Sequence, residues 1–176
     1  MRWRWSPSPP VESPFGLFAG PGVGATRAIG QLTTTASGSH LRLIADCASN
    51  VVFEESEQIF KEGDIANFFY IVRHGRVALE ASVPRREPVN ILSVEEGDVL
   101  GWSWMFPPYK WHFDARAMVS TRAAAFDAKC LREKYERDPQ LGYDLTQRFA
   151  QMMLDRMNIS RLQLLDMYGR DVPKLK

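Results

Sequence analysis

The sequence predicts a mainly β protein, an antiparallel barrel or sandwich with flanking helices, followed by a short helix and a long C-terminal helix. Two observations support this fold class. Between residues 51 and 127, short stretches rich in aromatic and β-branched residues alternate with turn signals at intervals of about 8–12 residues. After Phe126 the spacing of the apolar residues becomes helical.

The strand signals are short and follow one another closely. We predict strands over 51–53, 58–60, 68–72, 77–81, 90–94, 115–120 and 123–127. The pair His74-Gly75 and the triplet Glu96-Gly97-Asp98 predict tight turns between them. A short helical pattern over 41–47 precedes the first strand.

Two helices are predicted after the strands. Asp127 is suited to cap a helix over 128–137, and Asp138-Pro139 to begin a second helix that runs to about Tyr168. Apolar residues lie on two faces of this long helix, so both faces need cover. We expect one face to pack on the strands and the other to pair with a second copy of the chain. The alternative is that the chain covers both faces itself.

Composition limits the classes of protein that the chain can represent. With 176 residues, 24% charged residues, a net charge of +1 and no long apolar run, we expect a soluble globular domain without a membrane span. Cys47 and Cys130 lie far apart in the sequence and form no CxxC pair, which predicts two reduced, buried thiols and a cytoplasmic location. Three histidines without ligand-like spacing predict no metal site.

The N-terminal segment differs from the rest. Residues 1–39 hold six of the twelve glycines and show no sustained apolar period, which predicts a disordered tail. A targeting peptide is the alternative interpretation, but its apolar stretch is interrupted by Gly16. Residues 169–176 are predicted to form a second tail.

Several motifs occur in an informative order. Residues 59–64 (IFKEGD), 69–72 (FYIV) and 75–77 (GRV) resemble the front half of cyclic nucleotide-binding domains of the bacterial catabolite-activator (Crp/Fnr) type. Residues 43–48 resemble the entry helix of that family, and 97–101 (GDVLG) resemble the start of its phosphate-binding cassette. The resemblance implies an antiparallel β-roll (a double-stranded β-helix or jelly roll) over 40–127, with a cassette over 97–117, and dimerisation helices over 128–168.

The cassette departs from the family at its two charged contacts. The resemblance implies a Glu for the ribose hydroxyl and, nine residues later, an Arg for the phosphate. In an ungapped match these positions hold Trp102 and Trp111, and the following Ser/Thr position holds His112. Each lost charge-assisted bond is worth roughly 1.5–3 kcal/mol, so nucleotide binding should weaken about a hundredfold or more.

The candidate ligand site therefore comprises seven cassette residues: Gly101, Trp102, Ser103, Trp104, Lys110, Trp111 and His112. A one-residue slip would bring Lys110 to the position of the missing Arg. The aromatic residues would either pack together or line a pocket for an apolar, planar ligand. We expect Arg116 to form an ordinary ion pair on a strand face.

These features predict a non-enzymatic regulatory or sensor module whose small-molecule effector is unknown. No catalytic motif is present. The chain ends too soon after the long helix for the family's helix-turn-helix, so we expect no direct DNA binding. Two alternatives stay open: a cyclic nucleotide (cAMP or cGMP) receptor with an altered cassette, and an interaction module whose pocket is filled.

Overall fold

Short strands bounded by helices make up the computed structural model, which describes residues 38–83 and 87–169. In chain order the elements are α1 (Gly38–Ala45), β1 (Ala48–Phe53), β2 (Gln58–Phe60), β3 (Phe68–His74), β4 (Arg76–Ala81), β5 (Val89–Glu95), β6 (Val99–Leu100), a 3-10 turn (Ser103–Met105), β7 (Asp114–Ala117), β8 (Thr121–Asp127), α2 (Ala128–Arg137) and α3 (Pro139–Gly169). The predicted tails, 1–39 and 169–176, lie almost wholly outside the described residues.

The strands form two four-stranded antiparallel sheets. One has the order β1-β8-β3-β6 and the other the order β2-β7-β4-β5. This arrangement confirms the predicted fold class, a mainly β roll with flanking helices. The described residues divide into two compact units between Lys134 and Tyr135.

The centre of the first sheet is the most apolar part of the roll. Four consecutive residues of β3, 69–72, are buried, because β3 lies between β8 and β6 and has side chains covered on both faces. Phe69 of β3 lies opposite Phe126 of β8, and their rings stack 4.5 Å apart. These aromatic pairs fix the register of β3 against β8.

Most predicted elements agree with the structure, and the helix caps do so in detail. The amide of Cys130 donates to Asp127 Oδ1 at 2.7 Å, and the amide of Leu141 donates to Asp138 Oδ1 at 3.1 Å. The predicted strand over 115–120 is too long, because β7 ends at Ala117 and the chain bends there. β6 was not predicted, since two residues are too few to show an alternating pattern.

The prediction of two reduced thiols is wrong. Cys47 and Cys130 form a disulfide that joins the end of α1 to the first turn of α2, with Cα atoms 5.7 Å apart. The two residues are 83 positions apart in the sequence, so only the fold brings them together.

The long helix α3 has a distinct buried side. Leu141, Leu145 and Phe149, spaced four residues apart, are buried. Of the helices in the described residues, none is both long and apolar enough to cross a membrane.

The turn between β3 and β4 depends on a glycine. Gly75 has φ +105°, which favours glycine. A Cβ atom at this position would lie 2.5 Å from Thr121 Oγ1 and 2.8 Å from Thr121 Cα. Because Thr121 Cα belongs to the backbone of β8, it cannot move aside easily.

We therefore expect Gly75→Ala to lower the free energy of unfolding by about 2–4 kcal/mol, through a strained φ and a backbone clash. Gly63→Ala is the matched control, because Gly63 has φ +85° but an added Cβ would meet nothing within 4 Å. It should cost only about 1–2 kcal/mol. Urea denaturation of both variants measures the difference, and equal losses would contradict the steric explanation.

Candidate functional site

The cassette segment 97–117 begins at a firmly bonded turn. The amide of Gly97 donates to the Val72 carbonyl at 2.8 Å, and the amide of Val72 donates to the Asp98 carbonyl at 3.0 Å. β6 then pairs with β3, opposite Tyr70 and Ile71. The start of the cassette is therefore held to the centre of the first sheet.

The second half of the segment is held by the loop that follows β2. Ala66 N donates to Tyr109 O at 2.7 Å, Trp111 N donates to Asp64 O at 2.9 Å, and Gly63 N donates to Trp111 O at 2.9 Å. This short extended pairing determines which side chains point inward. Trp111 is buried, whereas Lys110 beside it is exposed.

Trp111 fills the interior at the position where the resemblance places the phosphate-binding Arg. Its ring stacks on Phe60 with centroids 3.8 Å apart and planes 9° from parallel, and only 5% of the residue is exposed. The indole also lies directly against Gly101, where an added Cβ would be 2.5 Å from the Trp111 ring. The space beside Gly101 is thus occupied by the protein's own side chain.

The Trp111–Phe60 stack continues through other rings of the roll. Phe60 lies 6.4 Å from Tyr70, and Tyr70 contacts Phe53 edge to face at 5.7 Å. Burial raises the pKa of Tyr70 to about 12, so its hydroxyl stays neutral near pH 7. We call these four residues (Phe53, Phe60, Tyr70 and Trp111) the aromatic column. The column is apolar and carries no charge at neutral pH.

Trp104 is part of the core as well. It is fully buried in the 3-10 turn, and its ring stacks on Phe69 at 5.3 Å. Its carbonyl accepts a hydrogen bond from Nη1 of Arg132 at 3.1 Å, and the Arg132 guanidinium lies 5.0 Å from the centre of the Tyr109 ring. Arg132 of α2 therefore holds the cassette at two points.

The polar candidates lie nearer the surface. Ser103 Oγ is 3.0 Å from His112 Nδ1, with Ser103 buried and His112 exposed. Trp102 is half-buried. Lys110 forms a backbone bridge with Ile65 and is exposed.

A separate cleft lies where Asp114 and Arg116 project from β7. It has a volume of about 700 Å³ and is lined by Gln58, Lys61, Glu62, Gly63, Ser82, Asp114 and Arg116. Arg116 Nε lies 3.3 Å from Glu80 Oε2, which agrees with the predicted ion pair. Asp114 accepts bonds from the Glu62 amide at 2.8 Å and from Ser82 Oγ at 3.3 Å. Asp114 and Arg116 are thus both engaged by other groups of the chain.

Comparison with known proteins identifies the family. The model of the cyclic nucleotide-binding domain matches residues 50–138, half of the chain. The chain belongs to the cyclic nucleotide-binding domain family. A comparison with curated protein sequences found no match.

Several solved structures show the same fold. A putative cyclic nucleotide-binding protein from Geobacter metallireducens is 26% identical, with 77% of this chain and 98% of that chain covered and a TM-score of 0.67. A cyclic nucleotide-binding domain from Methylobacillus flagellatus is 17% identical, with 86% of each chain covered and a TM-score of 0.71. The catabolite activator protein of Thermus thermophilus is 18% identical, with 79% and 63% covered and a TM-score of 0.60.

Within this family fold, the seven predicted site residues separate into three groups. Trp104 and Trp111 are buried, with half-buried Gly101 against the Trp111 ring; Ser103 and His112 form a polar pair; Trp102 is half-buried and Lys110 is exposed. Their role in ligand binding stays a prediction.

Sequence reasoning missed two contributors, Phe60 and Arg132. Phe60 lies in a motif that was used only for the fold. Arg132 gives no local signal, since its partners are 23 and 28 residues away.

The contact between Gly101 and Trp111 can be tested by a double-mutant cycle. Trp111→Ala should cost about 3–5 kcal/mol of unfolding free energy because it empties a core position. Gly101→Ala should destabilise the wild type through the clash, but much less in the Trp111→Ala background, giving a coupling energy above about 1 kcal/mol. Phe113→Ala, at an exposed aromatic position, is the control. Additive losses would show that the indole does not occupy the space at Gly101.

Proposed function

We propose that the protein is a non-catalytic regulatory module that does not bind cyclic nucleotides through the family's usual contacts. Its effector is either a different small molecule or absent, in which case signalling depends on protein contacts alone. We place the module in the cytoplasm, without direct contact to DNA or a membrane. The single observation that carries this proposal is the Trp111 ring, packed between Phe60 and Gly101 where a phosphate-binding Arg would stand.

Electrostatics supports the same proposal. A cyclic phosphate entering the roll beside Gly101 would meet the neutral aromatic column instead of a guanidinium. Lys110 is exposed to solvent, Arg116 pairs with Glu80, and Arg132 is engaged by Trp104 and Tyr109. Burying an anion without a paired cation is costly. Because none of these three cations is placed to pair with a phosphate beside Gly101, nucleotide binding there is disfavoured.

The test is a thermal-melt series of the full chain with cAMP, cGMP and linear AMP. A ligand present at 100 times its Kd would stabilise by about 2.7 kcal/mol, a rise in Tm of several degrees. We expect shifts below about 1 °C at roughly 1 mM ligand. A larger shift would need a tighter affinity, and that affinity requires the missing charge-assisted bonds. A shift of several degrees with cAMP or cGMP, but not with AMP, would contradict the proposal.

A gain-of-binding variant gives the converse test. Trp102→Glu with Trp111→Arg restores both charged contacts and opens space beside Gly101. We expect this double variant to acquire a Tm shift with a cyclic nucleotide but not with AMP. Circular dichroism must first show that the variant is folded. Trp111→Leu, which opens the space without adding a cation, should acquire no such shift.

The second candidate function is a cyclic nucleotide receptor with an altered cassette. The observation that favours it is the Ser103–His112 pair at 3.0 Å, which could offer a hydroxyl and a ring N–H to a phosphate at the surface of the cassette. If the wild-type chain does respond to cAMP, the loss of that response in Ser103→Ala and Lys110→Met would identify these contacts.

We also propose that α3 forms a homodimer. Tyr143, Leu154 and Met157 are exposed apolar residues of α3. Leu154 lies nine residues after buried Leu145, which at about 100° per residue places it on the opposite side of the helix. Tyr143 and Met157 share the Leu154 side. This apolar stripe on the side opposite the buried residues has the pattern of a helix-pairing surface.

Leu154→Glu combined with Met157→Glu should convert the dimer to a monomer, because two carboxylates would be buried at a symmetric interface. Sedimentation equilibrium across a range of protein concentrations measures the change. Asp155→Lys changes the charge at an exposed position at least about 100° around the helix from the stripe and should leave the dimer intact. A wild-type chain that is monomeric at high micromolar concentration would refute the dimer itself.

A further inference from the structure

The disulfide lies where the segment after α1 meets the start of α2. Cys47 lies two residues after the end of α1, and Cys130 is the third residue of α2. Next to the bond, the Asp127 amide donates to the Cys47 carbonyl at 2.9 Å, and Lys134 Nζ bonds to the Leu43 carbonyl and to Asp46 Oδ2. The disulfide thus covalently reinforces a contact between α1 and the start of α2.

The start of α2 also holds the cassette. Arg132 lies two residues after Cys130 and donates to the Trp104 carbonyl, with its guanidinium over the Tyr109 ring. Residues 128–134 therefore connect the disulfide to the 3-10 turn and to the residue that begins the paired segment 109–111. A change in how firmly α2 is attached to α1 would therefore be transmitted to the cassette through the Arg132 side chain.

The surroundings suit the reduced pair as well as the oxidised one. Cys47 Sγ lies 3.8 Å from the Leu43 carbonyl, to which a thiol could donate. Cys130 is half-buried, whereas Cys47 is 7% exposed, so we assign Cys130 as the residue that an external thiolate attacks. Cys47 then leaves as a thiolate close to the Lys134 ammonium, which bonds the same Leu43 carbonyl.

We propose that Cys47 and Cys130 are a redox-active pair that controls how firmly α2 holds the cassette. A dithiol protein reductant attacks the Cys130 sulfur, the sulfur–sulfur bond breaks, and a mixed disulfide forms with Cys130. The second thiol of the reductant then displaces Cys130, so the reductant becomes a disulfide and the pair gains two electrons and two protons. A peroxide oxidises the two thiols again: hydrogen peroxide yields the disulfide and two water molecules, and an organic hydroperoxide yields the disulfide, one alcohol and one water molecule. The proposal holds whichever effector the module binds.

The experiment compares hydrogen exchange of the oxidised and reduced full chain. Thioredoxin with its reductase and NADPH supplies the dithiol, and maleimide mass tagging measures the fraction reduced. We expect complete reduction under native conditions, and re-oxidation by hydrogen peroxide. Reduction should speed amide exchange about tenfold in peptides covering 128–134 and 102–109, but less than about twofold in β3 and β8.

Cys47→Ser with Cys130→Ser is the matched control, because it should show the faster exchange without reductant and no response to redox treatment. Arg132→Met with the disulfide intact should loosen 102–109 while leaving 128–131 protected. The proposal is overturned if the native chain resists the dithiol protein, or if reduction leaves exchange at 102–109 unchanged. It is equally overturned if β3 and β8 loosen to the same extent, since the bond would then only stabilise the whole fold.

Discussion

The packing of Trp111 between Phe60 and Gly101 is the contact on which the site depends. The backbone bonds from residues 63–66 to 109–111 make the indole point inward, and the absence of a side chain at Gly101 lets it approach the backbone. An Arg at this position would pay for desolvation whenever no anion was bound, whereas an indole gains from burial in the same place. The packing of the indole therefore contributes apolar burial that does not depend on an anion.

This packing affects how ligand binding could be coupled to the conformation of the roll. In a cassette that needs a ligand to neutralise its cation, occupancy and conformation are linked by a difference in binding free energy. Here the aromatic column already fills the interior. Under the proposed function, a nucleotide entering beside Gly101 would therefore have to displace apolar contacts before forming polar ones. The start of α2 offers another means of control, because Arg132 holds the cassette and Cys130 holds α1 within three residues of one another.

The fold was largely predictable from the sequence, and the failures have specific causes. The aromatic and β-branched residues of β3 and the capping residues Asp127 and Asp138 act locally, so their positions followed from spacing alone. β6 was missed because two residues carry no period. The disulfide was missed because its cysteines are 83 residues apart and form no CxxC motif, so no local pattern links them.

For the site, the sequence by itself determined that tryptophans stand at 102 and 111, and the resemblance predicts that these are the Glu and Arg positions of the cassette. Only the tertiary structure decided that Trp111 is interior while Lys110 is exposed, because strand direction depends on pairing with residues 63–66. It also decided that Arg132 reaches Trp104 and that Cys47 meets Cys130. Spacing along the chain specifies local geometry, but contacts between distant segments arise only when the sheets close and bring those segments together.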